Sequence, residues 1–211
     1  EYLVNADHYE YESPSMDGVK LNDKGDYLPN QMFSRYDKPL LYKGLISNYK
    51  KYCDGKKMIV FCVNTKHMIK TTIELCEAGI SAKFIGSKKS EPKRPAWMDE
   101  FWSFETLTEQ QRAQLAKYNE QLEVFEQYQS SYEKYSGSRK EIFDGFARGD
   151  FDVLVNIDIA TKGYDCPSIE VVALMRATKS LPLYLQMIGR GSRLYTNPET
   201  GYIKPSFDIL D

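Results

Sequence analysis

Histidine and cysteine are scarce in this chain: two histidines and four cysteines occur in 211 residues. Cys53, Cys62, Cys76 and Cys166 form no CxxC pair, and with only His8 and His67 beside them no spacing matches a zinc site. Single thiols scattered over apolar segments fit a reducing compartment, so a soluble, cytoplasmic protein is the expectation. No stretch approaches the roughly 18 apolar residues of a membrane span, and Glu1-Tyr2-Leu3 does not begin a signal peptide. The phosphate-loop pattern Gly-x-x-x-x-Gly-Lys-[Ser/Thr] is missing too, because Gly55-Lys56 is followed by Lys57 and lacks the first glycine. Nor is there excess positive charge. A net charge of −2 and an isoelectric point near 5.9 argue against a chain held to nucleic acid by bulk charge.

What is present is a globular composition: 42% hydrophobic, 27% charged and 13% aromatic, enough for a core in one generous domain or one domain with an insertion. The charge is unevenly placed. Residues 1–37 hold 8 acids and 3 bases, residues 91–135 hold 9 acids and 5 bases, and the remainder holds 20 bases and 13 acids. The core is therefore basic and its attachments acidic. The chain lacks an initiating Met and stops at Phe207-Asp208-Ile209-Leu210-Asp211, which reads like a strand cut short, so a piece of a longer protein is expected.

Residues 1–38 read as an extended strap or linker, with turn signals at Ser13-Pro14 and Lys24-Gly25-Asp26 and little periodicity. Residues 40–52 carry a helical stripe of Leu41, Leu45, Ile46 and Tyr49. Met58-Ile59-Val60-Phe61-Cys62-Val63 is a continuous apolar run suited to a strand covered on both faces, and Val153-Leu154-Val155-Asn156-Ile157 and Val171-Val172-Ala173-Leu174-Met175 read as further buried strands. Asn64-Thr65 caps a helix through Glu77 closed by Gly79, and Ser138 caps another that Gly149 ends. Short strands at 81–86 and 207–210 and a helix over 183–194 complete an α/β pattern with a parallel sheet flanked by helices. Residues 104–135 break the rhythm. Leu115, Tyr118, Leu122, Phe125, Gln129 and Tyr132 predict an amphipathic helix of about 25 residues, either an arm packing on its own domain or a docking surface.

Two constellations could carry chemistry. In Gln186-Met187-Ile188-Gly189-Arg190-Gly191-Ser192-Arg193, a continuous helix would put Gln186, Arg190 and Arg193 on one face. Paired guanidiniums suit a terminal phosphate, because their planar forks match its oxygens and keep their charge; a solvated basic face is the plainer alternative. Each glycine costs the helix roughly 1 kcal/mol relative to Ala, which suggests a close backbone approach at 189 and 191. The second constellation, Asp158-Ile159-Ala160-Thr161-Lys162-Gly163-Tyr164-Asp165, follows a parallel strand, where open α/β sheets place ligands; an ordinary strand-to-helix turn would look the same.

The order of segments gives these stretches their weight. The strand ending Val63-Asn64-Thr65 is followed by Ser138-Arg139-Lys140 with Phe143, Phe146 and Gly149, then by Asp158 to Asp165, then by Gln186-x-x-Gly189-Arg190-x-x-Arg193. This set resembles motifs IV, IVa, V and VI of superfamily 2 helicases of the DEAD/DEAH type, in their carboxyl-terminal RecA-like domain. The resemblance covers residues 39–90 and 136–211, and leaves the strap and an insertion at about 91–135 outside it. It implies a RecA-like open parallel sheet with an inserted helical arm. It also implies that Arg190 and Arg193 are arginine fingers for ATP, that Gln186, Gly163 and Asp165 serve the nucleotide site, and that Thr65, Arg139 and Asp158 contact nucleic acid. Ile157 stands where the family usually has Thr. ATP and Mg2+ would be held mainly by an amino-terminal RecA-like domain of the same protein, since Asp99-Glu100 follows Pro95-Ala96-Trp97 rather than a buried strand and does not resemble a metal box. Single-stranded or duplex nucleic acid would be the other partner, with DNA taken over RNA. No membrane partner is implied. The alternatives are a non-catalytic RecA-like adaptor and a nuclease-coupled motor, the latter without any nuclease carboxylate cluster to support it.

Smaller features remain open in the sequence. Tyr2, Tyr9, Tyr11 and Tyr27 either stack bases or pin the strap to the domain, and Lys83, Lys88, Lys89, Lys93 and Arg94 form a basic stretch. His67 is expected at the surface or in a cap, and Trp97 and Trp102 are expected to pack down the insertion.

Overall fold

The structure, a computed structural model, describes residues 3–11, 13–86, 89–99, 103–157 and 164–211. Its sheet is built from β1 (Asn5–Tyr9), β2 (Met58–Cys62), β3 (Ala82–Phe84), β4 (Val153–Asn156), β5 (Val171–Met175) and β6 (Ser206–Leu210), in the spatial order β1-β6-β5-β2-β4-β3. Every pair is parallel, with Met58 level with both Val153 and Val171. The helices are α1 (Pro29–Tyr36), α2 (Pro39–Tyr52), α3 (Thr65–Glu77), α4 (Glu109–Tyr135), α5 (Arg139–Arg148) and α6 (Leu181–Ile188). This is the parallel, helix-flanked sheet expected from the alternation of strands with helices, and it is the RecA-like arrangement that the resemblance implies.

The sheet is covered on both faces, which explains why β2 and β5 are apolar at every position and β4 at all but Asn156, whose side-chain amide donates to the Val60 carbonyl at 3.0 Å. Side chains alternate across a strand, so Met58, Val60 and Cys62 face one layer while Ile59 and Phe61 face the other. The first layer holds Met32 and Tyr36 of α1, Leu41, Tyr42, Leu45 and Tyr49 of α2, and Met68, Ile69 and Leu75 of α3. The second holds Ile142 and Phe146 of α5 and Met187 of α6. Helix ends follow the caps read from the sequence. Asn64 accepts from the His67 amide at 2.9 Å, Ser138 and Glu141 form a capping box, and Gly149 ends α5 at φ 87°.

Residues 1–38 differ from the expected strap. Residues 5–9 form the edge strand β1, paired along its length with β6, and Pro29 starts a helix that buries Met32 and Tyr36. The polar sequence Asn-Ala-Asp-His-Tyr makes a strand because backbone pairing, not side-chain burial, holds it; four of its five residues are exposed. Its tyrosines act as pins: Tyr9 stacks on Tyr52 with centroids 4.5 Å apart, and the Tyr11 hydroxyl donates to the Met175 sulfur at 3.0 Å. Tyr2 lies outside the described residues.

The arm forms as a 27-residue helix, with Thr108 and Gln111 in a capping box at its start. Its buried seam is not the expected stripe. Leu115 is buried, but the others are Tyr128 and Ser131, while Tyr118, Leu122 and Phe125 are only half-buried. The carboxyl half of α4 packs on β3 and α3, which turns Tyr128 inward against Phe84 with centroids 5.9 Å apart. Gly86 permits this, since a Cβ there would collide with the Tyr128 hydroxyl. Trp97 donates from its indole to Gln114 at 2.7 Å and so ties the arm near its start; Trp102 lies outside the described residues.

Candidate functional site

The sequence expects Gln186, Arg190 and Arg193 on one helix, but α6 stops at Ile188. The Arg190 amide donates to Met187 and the Gly191 amide to Ile188, which tightens the chain into a turn, and Arg193 then pairs with Leu3 in an antiparallel bridge. A Cβ at Gly189 would lie 2.8 Å from the Leu185 carbonyl oxygen, and one at Gly191 would collide with the Phe207 ring. The expected close approach is therefore present, and on the protein side it is made to these two groups.

The arginines still come together, by tertiary contact instead of helical phase. Arg190 Nη1 donates to the Tyr164 carbonyl at 2.7 Å, and Arg193 Nη1 donates to Asp165 Oδ2 at 2.6 Å. Adjacent residues of the loop after β4 thus receive both guanidiniums. Arg193 and Asp165 are each about half exposed, at 48% and 51%, so their ion pair is a surface pair worth at most about 1 kcal/mol and can be exchanged for another anion. Gln186 is exposed on α6, and among the described residues no hydrogen bond joins it to either arginine. Asp158 and Gly163 lie outside the described residues.

Arg139 joins the same cluster through aromatic rings. Its guanidinium carbon lies 5.4 Å from the Phe143 centroid, and Phe143 stacks on Tyr164 at 3.8 Å and 11°. Burial pushes the Tyr164 hydroxyl well above the usual tyrosine range, so it stays protonated and donates to the Phe143 carbonyl at 3.5 Å. A column therefore runs from Arg139 through Phe143 and Tyr164 to Arg190. Sequence reasoning noted these aromatics but gave them no role; their spacing in two distant segments carries no sign that they stack.

Thr65 opens α3, and its hydroxyl accepts from Lys89 Nζ at 3.0 Å, with Lys89 lying 4.7 Å from the Tyr128 ring centroid. Part of the basic stretch thus borders the Thr65 end of α3. Lys83 instead lies over Phe151 and Arg94 pairs with Asp99, while Lys88 is outside the described residues.

His67 is a correction. It is 0% exposed, its Nδ1 accepts from the Val63 amide at 3.2 Å, and Phe33, Tyr36 and Tyr42 surround its ring at 5.7–6.0 Å. Burial lowers its pKa to about 4, so it is neutral and fixes the turn between β2 and Thr65. The signal was available: residues 67, 68, 71, 72 and 75 form the buried stripe of α3. Among the described residues no three His, Cys, Asp or Glu side chains gather to hold a metal, and no helix is long and apolar enough to cross a membrane.

Comparison with known proteins adds the following. The family model "Helicase conserved C-terminal domain" matches residues 106–195, a span that takes in α4 whole and every described residue of the arginine cluster. The sequence reading left the arm outside the resemblance; the match includes it. A 51.5 kDa protein of a Lactococcus phage (isolate 7-9) is 26% identical over 208 residues, 96% of this chain and 36% of its own length. A Saccharomyces cerevisiae protein named as an ATP-dependent helicase, IRC3, is 43% identical over 65 residues, 31% of this chain and 9% of that protein. Among solved structures, a fragment described as an HsdR subunit of a type I restriction enzyme from Vibrio vulnificus superposes with a TM-score of 0.55 over 100% of this chain and 32% of its own, at 18% identity. That likeness concerns the fold. The chain spans about a third of the phage protein and of the solved fragment, and about a tenth of the yeast protein. The resemblance read from the sequence agrees with this match to a helicase conserved carboxyl-terminal domain over residues 106–195, and the parallel sheet is the fold it implies.

Proposed function

We propose that this chain is the carboxyl-terminal motor domain of an ATP-dependent nucleic-acid helicase or translocase, and that Arg190 and Arg193 act on ATP held by a second RecA-like domain. The observation that carries the reading is the convergence of both guanidiniums on Tyr164 and Asp165 within the segment that matches the helicase family. A guanidinium has five N–H donors, and among the described residues each of these uses one of its side-chain donors, which leaves others for phosphate oxygens. Charge that develops on a transferring γ-phosphoryl group would meet donors already held in place, the arrangement that lowers phosphoryl-transfer barriers most. Gln186 and Gly163 would line the nucleotide, and Asp165 would release Arg193 to it. Among the described residues no three His, Cys, Asp or Glu side chains gather here to hold Mg2+; the cation would be held by the partner domain. Thr65, Arg139 and Asp158 would contact single-stranded or duplex nucleic acid, with DNA taken over RNA.

Two measurements on the chain test this. It should not hydrolyse ATP by itself, since the phosphate loop is missing from its sequence. It should bind single strands weakly, with a slope of log affinity against log salt shallower than about −3, each neutralised phosphate contributing about −0.7. Arg139→Ala should weaken binding equally for all sequences, because backbone contacts carry no base information. Strong sequence preference, or binding indifferent to both salt and Arg139, would favour the adaptor reading.

A further inference from the structure

Among the described residues Lys204 is the one buried lysine, 1% exposed, at the end of a hairpin that leads into β6. Its Nζ donates to the carbonyl oxygens of Pro167 at 2.8 Å, Ile169 at 2.9 Å and Gly191 at 2.9 Å. An ammonium has three donors, and all three are used. Among the described residues no carboxylate lies within ion-pair distance of it. Burying an ammonium without a counter-ion is unfavourable unless its hydrogen bonds are complete, so the arrangement calls for an account of what those bonds hold.

They hold the two halves of the arginine cluster. Pro167 and Ile169 follow Asp165 by two and four residues, and Gly191 lies between Arg190 and Arg193. We infer that Lys204 is a positioning residue: its buried ammonium ties the turn that carries both arginines to the loop that receives them. The Phe207 ring, three residues further along the chain, closes on Gly191 from the β6 side and leaves the turn little room to shift. Without the ammonium three carbonyls would lose their donor at once; what would still hold the turn, among the described residues, is its Phe207 contact, its own bonds back to Met187, Ile188 and Gly189, the edge bridge at Leu3 and Val4, and the arginine bonds. The functional consequence rests on the finger role proposed above; the placement of the turn does not.

The test has separable arms. In this chain, Lys204→Met keeps the volume and removes the donors. Amide hydrogen exchange at Gly191 and Val4 should accelerate about tenfold or more relative to Val172, Ala173 and Leu174 in β5, the signature of local opening. Equal acceleration of turn and sheet would overturn the proposal, since Lys204 would then support global stability only. If the variant does not fold, the wild-type chain decides: scalar couplings across hydrogen bonds should connect Lys204 Nζ to the Gly191 carbonyl carbon, and a coupling to Pro167 and Ile169 alone would overturn it. In the intact protein, Lys204→Met should lower kcat for ATP hydrolysis about 10- to 100-fold with KM changed less than about twofold. Added to Arg190→Ala it should lower kcat less than about twofold further; multiplicative losses would contradict positioning through that arginine. Normal hydrolysis by Arg190→Ala alone would refute the finger role, and the exchange comparison would still judge the placement of the turn.

Discussion

Lowering the pH from 7.5 to 5.0 should destabilise the fold through His67. Its folded pKa, about 4, lies below the value of 6.5 taken for an unperturbed histidine. The unfolded state therefore binds a proton that the folded state refuses, and stability is complete above about pH 6.5 and lost as pH falls toward 4. The full span corresponds to roughly 3 kcal/mol, and at pH 5 about 2 kcal/mol should already be gone. The cause is geometric: the ring is fully buried among Phe33, Tyr36 and Tyr42, Nδ1 is occupied by the Val63 amide, and among the described residues Nε2 has no partner to receive a charge. Nearby charges oppose each other, Asp37 favouring the protonated form and Lys70 disfavouring it. Asp37 itself is held below the ordinary carboxylate range by its hydrogen bonds to Lys70 and Tyr42, against the opposing effect of burial, so its own loss comes at lower pH. Asp211, raised by burial, works in the opposite sense, so a paired comparison is needed. Urea unfolding of the wild type and His67→Gln at the two pH values supplies it. The wild type should lose about 2 kcal/mol more than the variant; an equal loss would refute the reasoning, as would a proton titration of the His67 ring near pH 6.5.

Tyr128→Ala should cost about 3–5 kcal/mol by removing a fully buried ring beside Phe84, whereas Leu122→Ala on the expected but half-buried stripe should cost far less; thermal or urea unfolding reads both. Gly191→Ala should destabilise by about 1–3 kcal/mol because its Cβ meets the Phe207 ring, and Phe207→Leu in the same chain should recover part of that loss in the same unfolding assay.

The central strands were legible because β2, β4 and β5 are buried on both faces and therefore apolar at every position but Asn156, a pattern that survives without any knowledge of neighbours. β1 was not legible, because an edge strand held by backbone pairing places no demand on Asn5, Asp7 or His8. The seam of α4 was misread since its apolar residues exceed those the core can take, and only the packing of β3 selects Tyr128. At the candidate site the residue types were correct and the geometry was not. Gly189 and Gly191 were expected to allow a close backbone approach within a continuous helix; the approach is there, at the Leu185 carbonyl and the Phe207 ring, but the helix stops at Ile188. Lys204 carried no sequence signal, because an exposed lysine and one capped by three carbonyls look alike in one dimension.

The most direct test is ATP hydrolysis by the intact protein carrying Arg190→Ala or Arg193→Ala, measured beside its nucleotide-free affinity for single strands. Each variant should lose about 10²–10³-fold in kcat, the scale of lost transition-state charge stabilisation, while affinity changes little. Near-normal hydrolysis in both variants would make the two arginines surface charges and contradict the proposal.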